Sequence, residues 1–259
     1  MSGEFERVCE LSGFDRDVNA LVIGASGGIG RALLSAMSPM HRVSRLFGAA
    51  RSVDGLHGVS AAITAIEADV SSPESMQAMA ETIGQQCEQL DLVIYAAGLL
   101  HDEQRAIAPE RQLKQVESDA LQASFAVNAF GVLYAAKALQ GLLPRKGRGV
   151  WVNISARVGS IADNGLGGWY SYRAAKAAQN MISRNLAIEW ARRNRNMMVL
   201  ALHPGTTDTA LSKPFRNNVP RHKLFSPERT AHQLLAVINA RDGADSGQFF
   251  DWQDAPVEW

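Results

Sequence analysis

Seven short runs of apolar or small residues punctuate the chain, at 19–24, 45–50, 61–68, 91–96, 149–155, 197–203 and 248–251. Between most of them lie stretches whose apolar positions recur with helical spacing, above all 73–87, 118–143 and 168–195. Leu92-Val93-Ile94-Tyr95-Ala96-Ala97 shows no polar alternation, the pattern of a strand covered on both faces. Strand and helix taking turns imply βαβ crossovers. The pattern therefore predicts a single α/β domain over residues 1–259, a doubly wound parallel sheet of about seven strands with helices on both faces. The link 51–60 is too short and glycine-rich for a full helix, so one crossover is expected to be abbreviated. Residues 1–17 mix charges of both signs and read as a loosely ordered leader.

Composition narrows the function classes more than the fold. With 46% hydrophobic and 20% charged residues the chain has the makeup of a globular protein with a sizeable core. Lys plus Arg and Asp plus Glu both number 26, so net charge drives it towards neither nucleic acid nor an anionic membrane. The basic run Arg192-Arg193-Asn194-Arg195 follows a long helical pattern, where cations complement a helix C-terminus. Cys9 and Cys87 are the only cysteines, far apart and without metal spacing, which suits a reducing compartment. No stretch has the form of a signal peptide or the length of a membrane span, and a cytoplasmic location is expected. The six histidines show no ligand spacing, so no metal is expected.

The chemistry begins at Gly24-Ala25-Ser26-Gly27-Gly28-Ile29-Gly30, placed between an apolar run and a helical pattern. A diphosphate can sit on a helix N-terminus only if the preceding turn is tight and its backbone comes close, which Gly24, Gly28 and Gly30 permit. About twenty residues further on, dinucleotide folds that prefer NAD place an acid for the ribose hydroxyl, whereas an arginine accommodates the 2′-phosphate of NADP. Here the positions read Ala50-Arg51-Ser52. NADP(H) is therefore expected over NAD(H), with Arg51 as the main phosphate partner and Ser52 in support.

A second constellation lies in the long helical pattern 168–195. Tyr172 and Lys176, four apart, share one helix face. A free phenol ionises near pH 10, and an adjacent ammonium favours the phenolate, so the pair can form a tuned acid/base. Tyr170 is the nearest decoy, but Ala174 stands four residues beyond it.

Taken together, the glycine turn, Ala96-Ala97-Gly98, Asn128, Ser155, Tyr172 with Lys176, and His203-Pro204-Gly205 resemble, in order and spacing from about Asn19 to Asp251, the short-chain dehydrogenases/reductases. The stretches ISARVGSIADN, GGWYSYRAAKAA and HPGTTDTALSKPF are most similar to the subgroup holding C-factor and the sniffer-type carbonyl reductases. The resemblance implies a Rossmann-type single domain that transfers a hydride between nicotinamide and a carbonyl or alcohol carbon. It implies that Tyr172 exchanges the proton at the substrate oxygen, that Lys176 tunes Tyr172 and holds the nicotinamide ribose, and that Asn128 helps bind a water linking Lys176 to solvent. It assigns Ser26 and Ile29 of the glycine turn, Asp69 and Val70 at the adenine edge, Ala96, Ala97, Gly98, Pro204, Gly205 and Thr207 to the cofactor. An Asp capping the turn before Ser72-Pro73 accounts for Asp69 equally well.

The sequence departs from the family twice. Alanines replace the amide residues usual before Gly98, and aligning on Gly159 puts Ala156 where the family's serine stands. Either the chain bends so that Ser155 turns into the site, or Ser160 fills in, or no hydroxyl is well placed; Ser155 is the first choice. A reading from another class is a nucleotide-binding signalling protein of the C-factor type, in which turnover is incidental. Segment 206–226, with Phe215 and Phe225, is either a lid over the strand ends or a surface excursion. Trp169 and Leu100 either border a small-molecule substrate or simply pack. The resemblance also implies a homodimer or homotetramer through 118–143 and 168–195, whose Ala174, Ala175, Ala177 and Ala178 could admit a close helix or pack on the chain's own sheet.

Overall fold

The computed structural model describes residues 11–56, 58–60 and 62–259. Its centre is a seven-stranded, fully parallel sheet in the order β3-β2-β1-β4-β5-β6-β9. The strands are β1 (Val18–Ile23), β2 (Val43–Ala50), β3 (Ile63–Glu67), β4 (Leu92–Tyr95), β5 (Gly149–Ile154), β6 (Met197–His203) and β9 (Gln248–Asp251). Two-residue strands β7 (Thr206–Thr207) and β8 (Leu224–Phe225) pair separately. Every expected run yields a strand, with ends shifted by a residue or two; Ala61, which opens one of them, lies outside the described residues. The doubly wound arrangement is present.

The helices are α1 (Gly28–Met37), α2 (Pro73–Gly84), α3 (Ser118–Phe125), α4 (Gly131–Leu139), α5 (Tyr170–Ala191) and α6 (Pro227–Ala240). Strand pleat decides which face each residue serves. Ala20 and Val22 of β1 point into the core under α1 and α6, whereas Leu21 and Ile23 point into the core with α2, α4 and α5. In β5 the same alternation sends Val150, Val152 and Ile154 to the first core and Trp151 to the second, where it meets Trp190 edge-on at 5.4 Å. Ser72 caps α2 by accepting from the Ser75 amide, with Pro73 opening the helix. Among the described residues no helix lies between β2 and β3; Leu56 plugs that short crossover, fully buried. No helix among the described residues is long and apolar enough to cross a membrane.

Of the expected loose leader, residues 1–10, including Cys9, lie outside the described residues. The remainder is packed: Leu11 and Phe14 are buried in the first core, and Arg16 donates to Asp91 at 2.6 Å. The reason is long-range contact, which charge mixing along the sequence does not reveal. The expected helix 118–143 is also subdivided. A π turn, Ala126–Phe130, joins α3 to α4 and carries Asn128. The fully buried Tyr95, at the end of β4, donates from its hydroxyl to the Val127 carbonyl of this turn at 2.6 Å. A side-chain tie between β4 and the helix thus exists although the amides usual after β4 are missing.

Gly131 lies where this tie crosses the helix: a Cβ there would fall 2.9 Å from the Val70 carbonyl oxygen and collide with the Tyr95 hydroxyl. Gly131→Ala is therefore expected to destabilise the chain by about 1–3 kcal/mol through overpacking, read as a lower urea midpoint. An unchanged midpoint would show that the Tyr95 tie yields freely.

Candidate active site

The first turn of α1 presents its backbone without a side-chain cap. Gly27 is the N-cap and offers no side chain, so the amides of the following turn are left for an outside acceptor. Gly24 has φ +85°, and a Cβ on it would lie 2.5 Å from the Ala97 nitrogen, so the turns after β1 and β4 can touch only because this residue is glycine. β1 and β4 are neighbours although the chain reaches β4 last of the first four strands. This is the point where the winding of the sheet reverses and where open α/β sheets place ligands.

A cavity of about 690 Å³ opens there, in the size range of small-molecule and cofactor sites. Gly24, Ser26, Gly28, Ile29 and Gly30 line it, followed along the sheet by Arg51, Asp69, Val70, Ala96, Ala97 and Gly98. Ser155, Tyr172, Lys176, Pro204, Gly205 and Thr207 line its other end. Two expected site residues stand apart. Ser52 is outside the lining and donates to Asp54 at 3.2 Å. Asn128 lies behind the wall, fully buried, where it accepts from the Leu99 amide at 3.1 Å and donates to the Leu99 carbonyl at 2.7 Å. Asp69 both caps and lines: it accepts from the Ser71 amide and hydroxyl at 2.9 and 2.7 Å. Burial raises its pKa, but those two bonds and the Arg51 guanidinium outweigh it, and the net shift is downward.

The reaction end is built on the inner face of α5. Tyr172, Lys176, Gln179, Asn180 and Ser183 are all buried there, in helical register against β5. The Lys176 ammonium lies 5.8 Å from the centre of the Tyr172 ring and donates to the Ile154 carbonyl at 2.8 Å and to Gln179 at 3.0 Å. Burial pushes the Tyr172 phenol up and Lys176 down to about 7. Ser155 continues the alternation of Trp151 and Asn153, so its side chain faces α5, and its hydroxyl donates to Asn180 Oδ1 at 2.6 Å. Ser160 accepts from the Asp163 amide outside the lining, and Ala156 lines the cavity. Asn180 belongs to no motif in the sequence, although its spacing from Tyr172 and Lys176 puts it on their helix face.

Residues 208–223 form a roof. Thr209, Ala210, Leu211, Ser212 and Phe215 line the cavity from above, and the methyl of Thr209 rests where a Cβ of Gly28 would be. His101, from the loop after β4, meets the Ala210 carbonyl at 2.8 Å. Phe215 contacts the Trp169 ring at 5.1 Å, and Trp169 in turn meets Tyr172 edge-on at 6.3 Å. Leu100 and Trp169 both line the cavity, whereas Phe225 packs away from it, on Trp252 at 4.5 Å.

The family model described as short chain dehydrogenase matches residues 18–220. The chain is 30% identical over 240 residues to a 1-hydroxy-2-glutathionyl-2-methyl-3-butene dehydrogenase of Rhodococcus sp. (strain AD45), covering 92% of this chain and 98% of that one. It is 33% identical over 141 residues to the C-signal of Myxococcus xanthus, covering 52% of this chain and 76% of that one. The NADPH-bound carbonyl reductase from chicken fatty liver shares the fold with a TM-score of 0.82 at 22% identity, over 94% of this chain and 100% of that one.

His203, at the end of β6, lines the same cavity, and its Nδ1 accepts from the Arg157 amide at 3.3 Å. Burial, reinforced by the Arg157 guanidinium, pushes its imidazole down to about 4. The unfolded chain then binds this proton in a pH range where the folded chain does not. The stability that neutral His203 contributes is complete above its ordinary pKa of about 6.5 and is lost as pH falls from there towards 4. The melting temperature is expected to drop across that window, and to drop by a few degrees less in His203→Gln; identical pH profiles would rule out the linkage.

Proposed function

The chain belongs to the short-chain dehydrogenases, and from that premise we propose that this oxidoreductase transfers a hydride between a nicotinamide dinucleotide and a carbonyl or alcohol carbon, with NADP(H) preferred over NAD(H). The observation that carries the reading is one continuous cavity with an uncapped helix N-terminus and glycine cradle at one end and Tyr172 beside Lys176 at the other. The residues present fit a dinucleotide. Gly24, Ser26, Gly28, Ile29 and Gly30 would hold the diphosphate, Arg51 the 2′-phosphate, Asp69 and Val70 the adenine edge, and Ala96 to Gly98 with Pro204, Gly205 and Thr207 the remaining wall. When bound, the cofactor supplies or accepts the hydride.

The chain's own residues handle the proton and the oxygen. Tyr172 gives or takes the proton at the substrate oxygen against the upward push of burial on its phenol, and Lys176, in its charged form, would favour the phenolate. Ile154 and Gln179 hold Lys176 beside the ring. Ser155 has a single hydroxyl proton, and Asn180 accepts it, so Ser155 donates to a substrate carbonyl oxygen only by exchanging that bond. Ala156 has no hydroxyl to offer, which leaves Tyr172 as the principal donor. Asn128 acts from behind, fixing the Leu99 peptide in the cavity wall.

Half-exposed apolar residues on the outer faces of α4 and α5, among them Leu133, Met181 and Ile188, support a homo-oligomer through these helices. Ala175 takes no part, being buried in its own chain. The likeness to C-signal supports a second reading, a signalling protein in which turnover is incidental.

Tyr172→Phe is expected to lower kcat/KM at least about 100-fold while NADPH binds as before, measured by NADPH oxidation over a panel of aldehydes, ketones and quinones and by calorimetry. Retained turnover would remove Tyr172 from the chemistry, and a biological output that survives the substitution would favour signalling. Arg51→Ala is expected to raise KM for NADPH about tenfold or more with little change for NADH, the loss of one charge-assisted phosphate contact. Equal effects on both cofactors would count against the 2′-phosphate assignment.

A further inference from the structure

Three consecutive residues just before α5 adopt left-handed backbone: Gly167 at φ +64°, Gly168 at +66° and Trp169 at +51°. For the two glycines this carries no steric cost, but for a bulky residue it is strained, and such strain persists only where surrounding contacts impose it. The contacts here converge from two sides. Arg173 donates to the carbonyls of Gly167, Gly168 and Val158 at 3.2, 3.1 and 3.3 Å. On the other side stands Glu110, a buried carboxylate from the loop after β4. Its backbone carbonyl accepts from the Trp169 amide, and its side chain accepts from the amide and the hydroxyl of Ser171.

Glu110 therefore ties down the first turn of the helix that carries Tyr172, and the negative charge is placed at the positive end of the helix dipole. The strained turn brings the Trp169 indole into the cavity, edge-on to Tyr172 and against Phe215 of the roof. Leu100, Val158 and Leu211 also line the cavity, and the indole adds a planar aromatic surface to it.

We propose that Glu110 is a positioning residue that holds Trp169 in its left-handed turn, and that Trp169 so held selects substrates with a flat, unsaturated group beside the carbonyl. The selectivity rests on the oxidoreductase reading; the positioning does not. The kinetic test compares benzaldehyde with cyclohexanecarbaldehyde, alike in size but flat and puckered, in the full chain with NADPH. Wild type is expected to favour benzaldehyde in kcat/KM. Trp169→Leu should lower that preference about fivefold, the worth of one aromatic pair, and Glu110→Ala by a similar factor. Glu110→Gln, which keeps an acceptor for the Ser171 amide and a partner for its hydroxyl, should restore most of it. The double variant Glu110→Ala, Trp169→Leu should fall no further than either single one, because both act through the same indole. Additive losses, or a preference untouched by Glu110→Ala, would overturn the proposal.

Amide hydrogen exchange over residues 165–173 reads the positioning without turnover: it is expected to accelerate in Glu110→Ala and not in Glu110→Gln, and unchanged exchange in Glu110→Ala overturns it. If wild type reduces neither these aldehydes nor any member of the wider panel of aldehydes, ketones and quinones, the oxidoreductase reading fails by itself. The preference is then read from dissociation constants of benzyl alcohol and cyclohexylmethanol by ligand-observed NMR, with equal values counting against Trp169. Should Glu110→Ala not fold, Ser171→Ala takes its place, with the same directions expected and a smaller change.

Discussion

An amine buried between a helix and a sheet fixes the whole reaction end. Lys176 reaches past the helix surface to the carbonyl of Ile154, the last residue of β5, and to Gln179 one turn on. A group so buried costs free energy unless its hydrogen-bonding capacity is met, so the bond to Ile154 sets where α5 can lie along β5. Sliding the helix by one turn would bury Lys176 without its acceptor and part Ser155 from Asn180. The register that satisfies Lys176 is the one that brings Tyr172 to the cavity. Trp151 with Trp190 and Asn153 with Ser183 extend the same register to the far end of the interface.

The fold was largely legible because its signals are local. Strands buried on both faces announce themselves as uninterrupted apolar runs, and the crossover plugged by Leu56 was too short for anything but an abbreviated link. What stayed hidden depends on distant partners. The burial of Leu11 and Phe14 rests on contacts such as Phe14 with Arg148 and Gly13 with Asn239. The π turn at Ala126–Phe130 adds one residue to a helical pattern whose apolar periodicity continues on both sides, so periodicity could not locate it.

The site divides in the same way. The glycine turn and the Tyr172 with Lys176 spacing are short-range patterns, and the structure brings both to one cavity. Ser52 is adjacent to Arg51 yet turned to Asp54, a matter of local rotation that no motif encodes. Glu110 meets α5 across 61 residues of sequence, and no pattern near it distinguishes this acid from a solvated one. Asn128 was legible by position, but its place behind the wall, bonded to Leu99, depends on the π turn.

The short ladder of β7 with β8 closes the base of the roof, because Thr206 and Thr207 pair directly with Leu224 and Phe225. Residues 208–223 leave and rejoin the framework at a single pinch point, and loop length beyond such a closure changes free energy only slowly. The roof is thus an insertion whose length can change at that closure without shifting the sheet or α5, whereas Thr209, Ala210 and Phe215, resting on Gly28, His101 and Trp169, tie its underside to the reacting end.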